Sequence, residues 1–336
     1  MILSSKILTI AMTRASGKVA YAFLFQLLST ASSQEHQRIR LRLHETEPFW
    51  KALEGLEMEL KDSLFPNLDS IFISQNLQEV FSGADWCLFF GGFHQRRPMT
   101  HKDFILKNAK LIREQAMALN SVGSDMTQVL MIANPCNTNC LLLSHYAPRV
   151  SSKNIFGLSL LDQYRGIQFL AENQNVHWRA IQGLYAWGNH SATVFPDFEN
   201  VSIEGRPLFL PKSEGSSQLE EMVQKVQARG AQIIRSRKHN SEGSAAKATL
   251  DGFVFLERKD ENEKPMSMVV ASNGEYGVRK GIWFSYPVIW RQGQLETLNE
   301  VTLSASAKEQ IFKSEVEINW ERQTLIDEGL LPRESQ

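Results

Sequence analysis

Long apolar runs are missing from this chain. The run from Ile7 to Met12 is too short for a signal-peptide core, and no later stretch reaches the roughly 18 residues of a membrane span. Those residues are expected to form a buried strand, and the protein is expected to be cytoplasmic, without a membrane partner. Cysteine is scarce as well. Cys87, Cys136 and Cys140 make an odd set of 3, which excludes a disulfide framework. Cys136 and Cys140 stand one helical turn apart, but no second Cys or His cluster completes a tetrahedral zinc site. No metal is expected, and both thiols read as small buried residues. Nor is there an excess of one charge: 36 Lys and Arg stand against 37 Asp and Glu. That leaves no clustered basic field for nucleic acid or an anionic membrane surface.

With 43% hydrophobic and 22% charged residues the composition is that of a globular protein, and 336 residues suffice for two domains. Through the first half, strand patterns at Ile7–Met12, Ile39–His44, Ile71–Ser74, Asp85–Phe90 and Gln128–Ala133 alternate with helical ones. The helical patterns are Ala15–Leu28, Phe49–Lys61 and Lys102–Asn120. Such alternation predicts βαβ crossovers and a doubly wound, mostly parallel sheet, the Rossmann arrangement. After about residue 150, short β-rich segments appear at Ile181–Trp187, Phe198–Ile203, Met266–Ala271 and Ile282–Trp290. Helices are expected at 215–257 and 304–327, and solvated loops at Leu210–Ser217 and Glu257–Pro265. The expectation is an α/β domain over 1–152 and a mixed α+β domain over 153–336, packed without a low-complexity linker.

Two places carry chemistry. The first strand runs into Arg14-Ala15-Ser16-Gly17-Lys18-Val19-Ala20 and then a helix, where small residues let a backbone approach a pyrophosphate and free N–H groups meet it. Only Gly17 remains of a glycine pattern, so an ordinary strand-to-helix turn fits equally well. Lys18 in a first helical turn opposes the macrodipole unless an anion is near. Glu45 follows the second strand, where a carboxylate accepts ribose hydroxyls and repels a 2′-phosphate; the polar insertion Ser29–Arg38 accounts for its distance from the turn. The second place combines Leu161-Asp162-Gln163-Tyr164-Arg165 with Trp187-Gly188-Asn189-His190-Ser191. Asp162 and Arg165 share a helix face. A carboxylate on one nitrogen of His190 sets its tautomer while the other exchanges a proton, and an arginine grips a carboxylate. A lone structural histidine remains the alternative.

Together with Asn134-Pro135-Cys136-Asn137-Thr138-Asn139-Cys140, these segments resemble three ordered motifs of the malate dehydrogenases, most of all the cytosolic type that some bacteria share. The similarity runs from Ile7 past Pro287. It implies a lactate/malate dehydrogenase-type fold, NAD as cofactor, a homodimer, and exchange of malate with oxaloacetate. By that likeness His190 is the proton acceptor, Asp162 its partner, and Arg165 the clamp on the substrate's 1-carboxylate. Asn134 touches substrate and cofactor, Asn108 and Gln115 lie toward the nicotinamide, Ile132 and Ala133 lend backbone, and Ser241 or Ser244 stands near the ring.

The departures from the family pattern are specific. Arg14 replaces the glycine that opens the phosphate turn, and Lys18 replaces a glutamine. At a positive φ, Arg14 costs on the order of 1–3 kcal/mol; at a negative one its guanidinium could reach the pyrophosphate. In Gly91-Gly92-Phe93-His94-Gln95-Arg96-Arg97-Pro98-Met99-Thr100-His101, Gln95 and His101 stand where the family's loop carries two arginines over the substrate. Losing a fixed cation aimed at developing charge costs about 10²–10³ in rate. Three functions follow: a working malate dehydrogenase with Arg96 or Arg97 supplying the cations, a reductase of monocarboxylic 2-oxo acids selected by Gln95, or a non-enzymatic paralogue.

Overall fold

The computed structural model describes residues 7–31, 38–93, 99–208 and 215–333. Gln95, Arg96 and Arg97, most of the Ser29–Arg38 insertion and the first part of the Leu210–Ser217 loop lie outside the described residues.

Strand β1 (Ile7–Thr13) is buried along nearly its whole length, as a central parallel strand covered on both faces must be. Helix α1 (Lys18–Ala31), β2 (Arg38–His44), α2 (Trp50–Asp62), β3 (Leu68–Ser74) and α3 (Leu77–Phe81) follow. Then come β4 (Trp86–Phe89), α4 (His101–Val122), β5 (Gln128–Met131), α5 (Cys136–Tyr146), β6 (Ile155–Leu158) and α6 (Leu160–Gln174). The strands pair in parallel in the order β3-β2-β1-β4-β5-β6. Chain order reverses between β1 and β4, so the crevice outside their carboxyl ends is the natural ligand site of such a sheet.

The second half contributes β7 (Ile181–Gln182), β8 (Tyr185–Trp187), β9 (Phe195–Asp197), β10 (Ser202–Ile203) and β11 (Arg206–Pro207), then α7 (Gly215–Arg237) and α8 (Glu242–Arg258). Strands β12 (Met266–Ala271), β13 (Trp283–Arg291) and β14 (Gln294–Thr297) extend the main sheet antiparallel from β6, and α9 (Ala305–Asp327) closes the chain. The α/β class and the mixed second half agree with the sequence pattern.

Two expected elements are divided and a third is shortened. The helix expected at 215–257 breaks at Lys238, whose φ of 60° cannot continue a right-handed helix. The strand expected at Ile181–Trp187 splits at Gly183, φ 78°, where a Cβ would stand 2.3 Å from the Asn200 carbonyl oxygen. Of the segment expected as Phe198–Ile203 only Ser202–Ile203 is strand, in β10, because β9 ends at Asp197 and a turn follows. The apolar period carries no mark of such left-handed residues. Helix α1 also begins three residues later than Ala15, because Gly17 N–H closes a turn onto Arg14 O at 3.0 Å first.

The core joins the two halves. Phe253 of α8 packs edge-on against Phe23 of α1 (6.2 Å between centroids) and Trp86 of β4 (5.1 Å). Trp86 Nε1 donates to Glu257 at 2.7 Å, so this fully buried indole spends its one polar atom on the same helix.

Candidate active site

Strand β8 leaves the core at Trp187 and turns sharply at Gly188, φ 96°, where a Cβ would collide with Ser314 Oγ at 2.1 Å. Only glycine fits there. The turn aims His190 at the N-terminal end of α6. His190 Nδ1 lies 2.5 Å from Asp162 Oδ2, and Arg165 Nη1 donates to Asp162 Oδ1 at 3.2 Å. The three side chains predicted from two distant segments therefore meet. Asp162 is 4% exposed at its side chain, His190 19% and Arg165 15%, so the carboxylate is sealed while its two partners keep an open edge.

Burial alone would lower the pKa of His190, but the Asp162 charge and hydrogen bond outweigh it and hold the imidazole above its ordinary value. Burial would raise Asp162; the His190 charge, their hydrogen bond and Arg165 keep it below the usual carboxylate range. With Nδ1 engaged, Nε2 is the atom free to exchange a proton. Arg165 Nη2 donates to Ser241 Oγ at 3.3 Å, and its buried Nε has no partner. An arginine so fixed retains donors for an incoming carboxylate. Ser244 lies in the first turn of α8 and donates to Ser241 O at 3.4 Å.

Asn137, quoted within its motif but assigned no role from sequence, organises this site. Its Oδ1 accepts from His190 N at 3.0 Å, and its Nδ2 donates to Gly188 O and Trp283 O at 3.1 and 3.0 Å. A fully buried asparagine bonded on both sides fixes the backbone at His190. The recurrence of Asn in Asn134-Pro135-Cys136-Asn137 was its one signal.

At the switch point, Arg14 adopts φ 53°, the strained alternative. Its guanidinium donates to Gly92 O at 3.1 Å and lies 5.1 Å over the Phe49 ring, so the side chain spans from the end of β4 to the loop after β2. Gly17 follows in the turn, Val19 and Ala20 enter α1, and Lys18 is exposed with Nζ 3.0 Å from His239 Nδ1. Buried Glu45 accepts Ser16 Oγ at 2.5 Å and Thr46 N at 3.0 Å. Asn108 does not face the crevice freely: its Oδ1 accepts from Phe93 N at 2.7 Å and its Nδ2 donates to Phe104 O at 2.9 Å. Gln115 is buried beside Gly91 with Oε1 unpartnered. Ile132 and Ala133 both donate through backbone N–H to Phe89 O, at 3.0 and 2.9 Å, and Asn134 is exposed at the crevice edge beside Gly92.

These residues fit a dinucleotide. The first N–H groups of α1 have no partner within the helix, a buried carboxylate stands just past the end of β2, and an orphaned buried amide oxygen lies beside Gly91. When NAD is bound there, it supplies a hydride donor or acceptor.

His101 opens α4 and turns to α9: its Nε2 is 3.0 Å from Glu321 Oε1, and its ring stacks on Trp320 at 5.6 Å. The Glu321 hydrogen bond and charge raise its pKa against the opposing effect of burial. Among the described residues, His101, Glu317 and Glu321 are also the group whose ligand atoms could hold a cation, all within 4.8 Å of one another. Cys136 and Cys140 are buried free thiols.

Residues 8–157 match the model of the lactate/malate dehydrogenase NAD binding domain, and 159–326 that of the α/β C-terminal domain. Over 282 residues, 83% of this chain and 85% of the relative, the sequence is 37% identical to a malate dehydrogenase of Rubrobacter xylanophilus. Over 321 residues, 95% and 97% of the two chains, it is 32% identical to one of Protochlamydia amoebophila. The crystal structure of malate dehydrogenase from Naegleria fowleri superposes with a TM-score of 0.90 at 32% identity, covering 97% of this chain and 99% of that one. No described helix is long and apolar enough to cross a membrane. The paired domains, in order and nearly end to end, place this chain in the lactate/malate dehydrogenase family as an NAD-dependent 2-hydroxy acid dehydrogenase.

Proposed function

We propose that the enzyme interconverts malate and oxaloacetate, with His190 taking the proton of the 2-hydroxyl in one direction and returning it in the other. Asp162 stabilises the imidazolium and fixes its tautomer, and Arg165 holds the 1-carboxylate. The single observation that carries this reading is the triad itself: an imidazole bonded to a sealed carboxylate that also orients a guanidinium. Packing has no need of all three together. Oxaloacetate should oxidise NADH with saturation, and His190→Asn should abolish it while leaving NADH binding intact. Binding of NADH without turnover of any 2-oxo acid would sink the proposal.

A second reading concerns the substrate. Gln95 is neutral in the sequence, and His101 is engaged by Glu321. Both observations favour a monocarboxylic 2-oxo acid, since neither side chain offers a fixed cation to a second carboxylate. A higher kcat/KM for pyruvate than for oxaloacetate would select it. We further propose a homodimer, on the family likeness, to be tested by sedimentation equilibrium. A cytoplasmic setting is also proposed, supported by three buried free thiols; cell fractionation tests it.

A further inference from the structure

Glu321 is fully buried on α9, yet it bonds three other, separate parts of the chain. Its Oε1 accepts from His101 Nε2 at 3.0 Å and from Asn189 Nδ2 at 3.2 Å. Its Oε2 accepts from Thr138 Oγ1 of α5. One turn earlier on α9, Glu317 Oε2 accepts from Asn189 Nδ2 at 3.0 Å and from Ser191 and Thr193 hydroxyls at 2.5 Å each. Residues on both sides of His190 are thus hung from two carboxylates of one helix. Thr138 is the neighbour of Asn137, which accepts the His190 backbone N–H. All these donors are neutral except one. A sealed carboxylate without a counter-charge is costly, and protonating it would turn one of its acceptor oxygens into a donor facing donors.

We propose that His101 is the counter-ion of Glu321, and that through this pair position 101 holds the catalytic histidine's segment in register instead of gripping the substrate. The charged groups around it are consistent with that role. Glu321 and Glu317 of α9 act on the ring, whereas Lys102 on its own helix pairs with Glu328 at 2.7 Å and Asp103 bonds Thr100. The Trp320 ring covers one face of the imidazole. His101 is a positioning residue: it reaches the chemistry only through Glu321, Asn189 and the backbone of residue 190.

The kinetic arm of the test rests on the dehydrogenase reading, but the spectroscopic arm does not. In a histidine-selective NMR titration of the whole protein, with His101 identified by its loss in His101→Gln, its pKa should lie above the ordinary histidine value. It should fall back in Glu321→Gln, and 10 mM malonate added with NAD should leave it unmoved. In turnover, His101→Gln should lower kcat about tenfold with KM within about twofold, the pattern of a lost transition-state interaction. His101→Arg, a permanent cation, should restore kcat and should not depend on Glu321→Gln folding. The proposal is overturned if malonate shifts the His101 titration, or if either substitution acts on the KM for oxaloacetate alone. Stoichiometric Zn²⁺ binding that disappears in His101→Gln would equally overturn it, making the cluster a cation site.

Discussion

The His190 imidazole is pulled two ways, down by burial and up by Asp162, and the carboxylate prevails. It is therefore cationic below a raised pKa and loses its proton as pH rises through that value. Reduction of a 2-oxo acid needs the cation, so its rate should decline above the raised pKa, while oxidation of the hydroxy acid, which needs the neutral ring, should climb. The pair's contribution to stability follows the same window, complete below the ordinary histidine value and lost as pH passes the raised one. Asp162→Asn should remove that upward pull and cost about 10²–10⁴ in kcat. Rate profiles against pH in both directions, for the wild type and this variant, check both statements. Arg14 poses a separate question at the same scale. Its φ of 53° is strained, but its guanidinium also holds Gly92 O and the Phe49 ring. Both Arg14→Gly and Arg14→Ala delete those contacts, and only the first relieves the strain. The glycine variant should be the more stable by about 1 kcal/mol in urea unfolding. Equal stability would mean that the backbone at 14 carries no strain.

Helices α1 and α8 come from different halves of the chain and meet through Phe23, Phe253 and Trp86. Phe253→Ala should destabilise the protein by about 3–5 kcal/mol, since the rings around it leave little room to collapse. Chemical denaturation would check this, with a smaller value implying a seam that relaxes. The break between α7 and α8 is the converse case. Lys238 holds φ 60° just ahead of Ser241, which Arg165 touches. Lys238→Gly should stabilise by about 1 kcal/mol through relief of left-handed strain, partly offset by unfolded-state entropy. Sequence periodicity predicted one helix across 215–257, because apolar spacing resumes beyond Lys238 and nothing in a lysine announces a left-handed residue. Where a glycine makes the turn, as at Gly183 or Gly188, a signal was present. Reading it correctly required knowing what lay opposite.

Across the whole molecule, ligand binding and fold stability are linked, because a ligand that binds only the native state adds to its stability. NADH at 100 times its Kd should add about 2.7 kcal/mol, visible as a rise in Tm. NADPH should add far less, because its 2′-phosphate would meet Glu45, a buried carboxylate anchored by Ser16 and Thr46. Equal shifts for the two cofactors would remove Glu45 from the ribose position. Strand–helix alternation, the balance of charge, the odd trio of thiols and the spacing of Asp162 to Arg165 are local properties, and they sufficed for the α/β class and for the residues of the triad. Which residues converge is a different matter. His190 and Asp162 are 28 positions apart, and His101 and Glu321 are 220 apart. Their meeting depends on a sheet order that reverses at β1 and on α9 lying back across α4 and α5. Nothing in the local pattern distinguishes a histidine facing substrate from one facing a buried glutamate. The tertiary structure decided that, because a buried carboxylate takes whichever cation packing brings within reach.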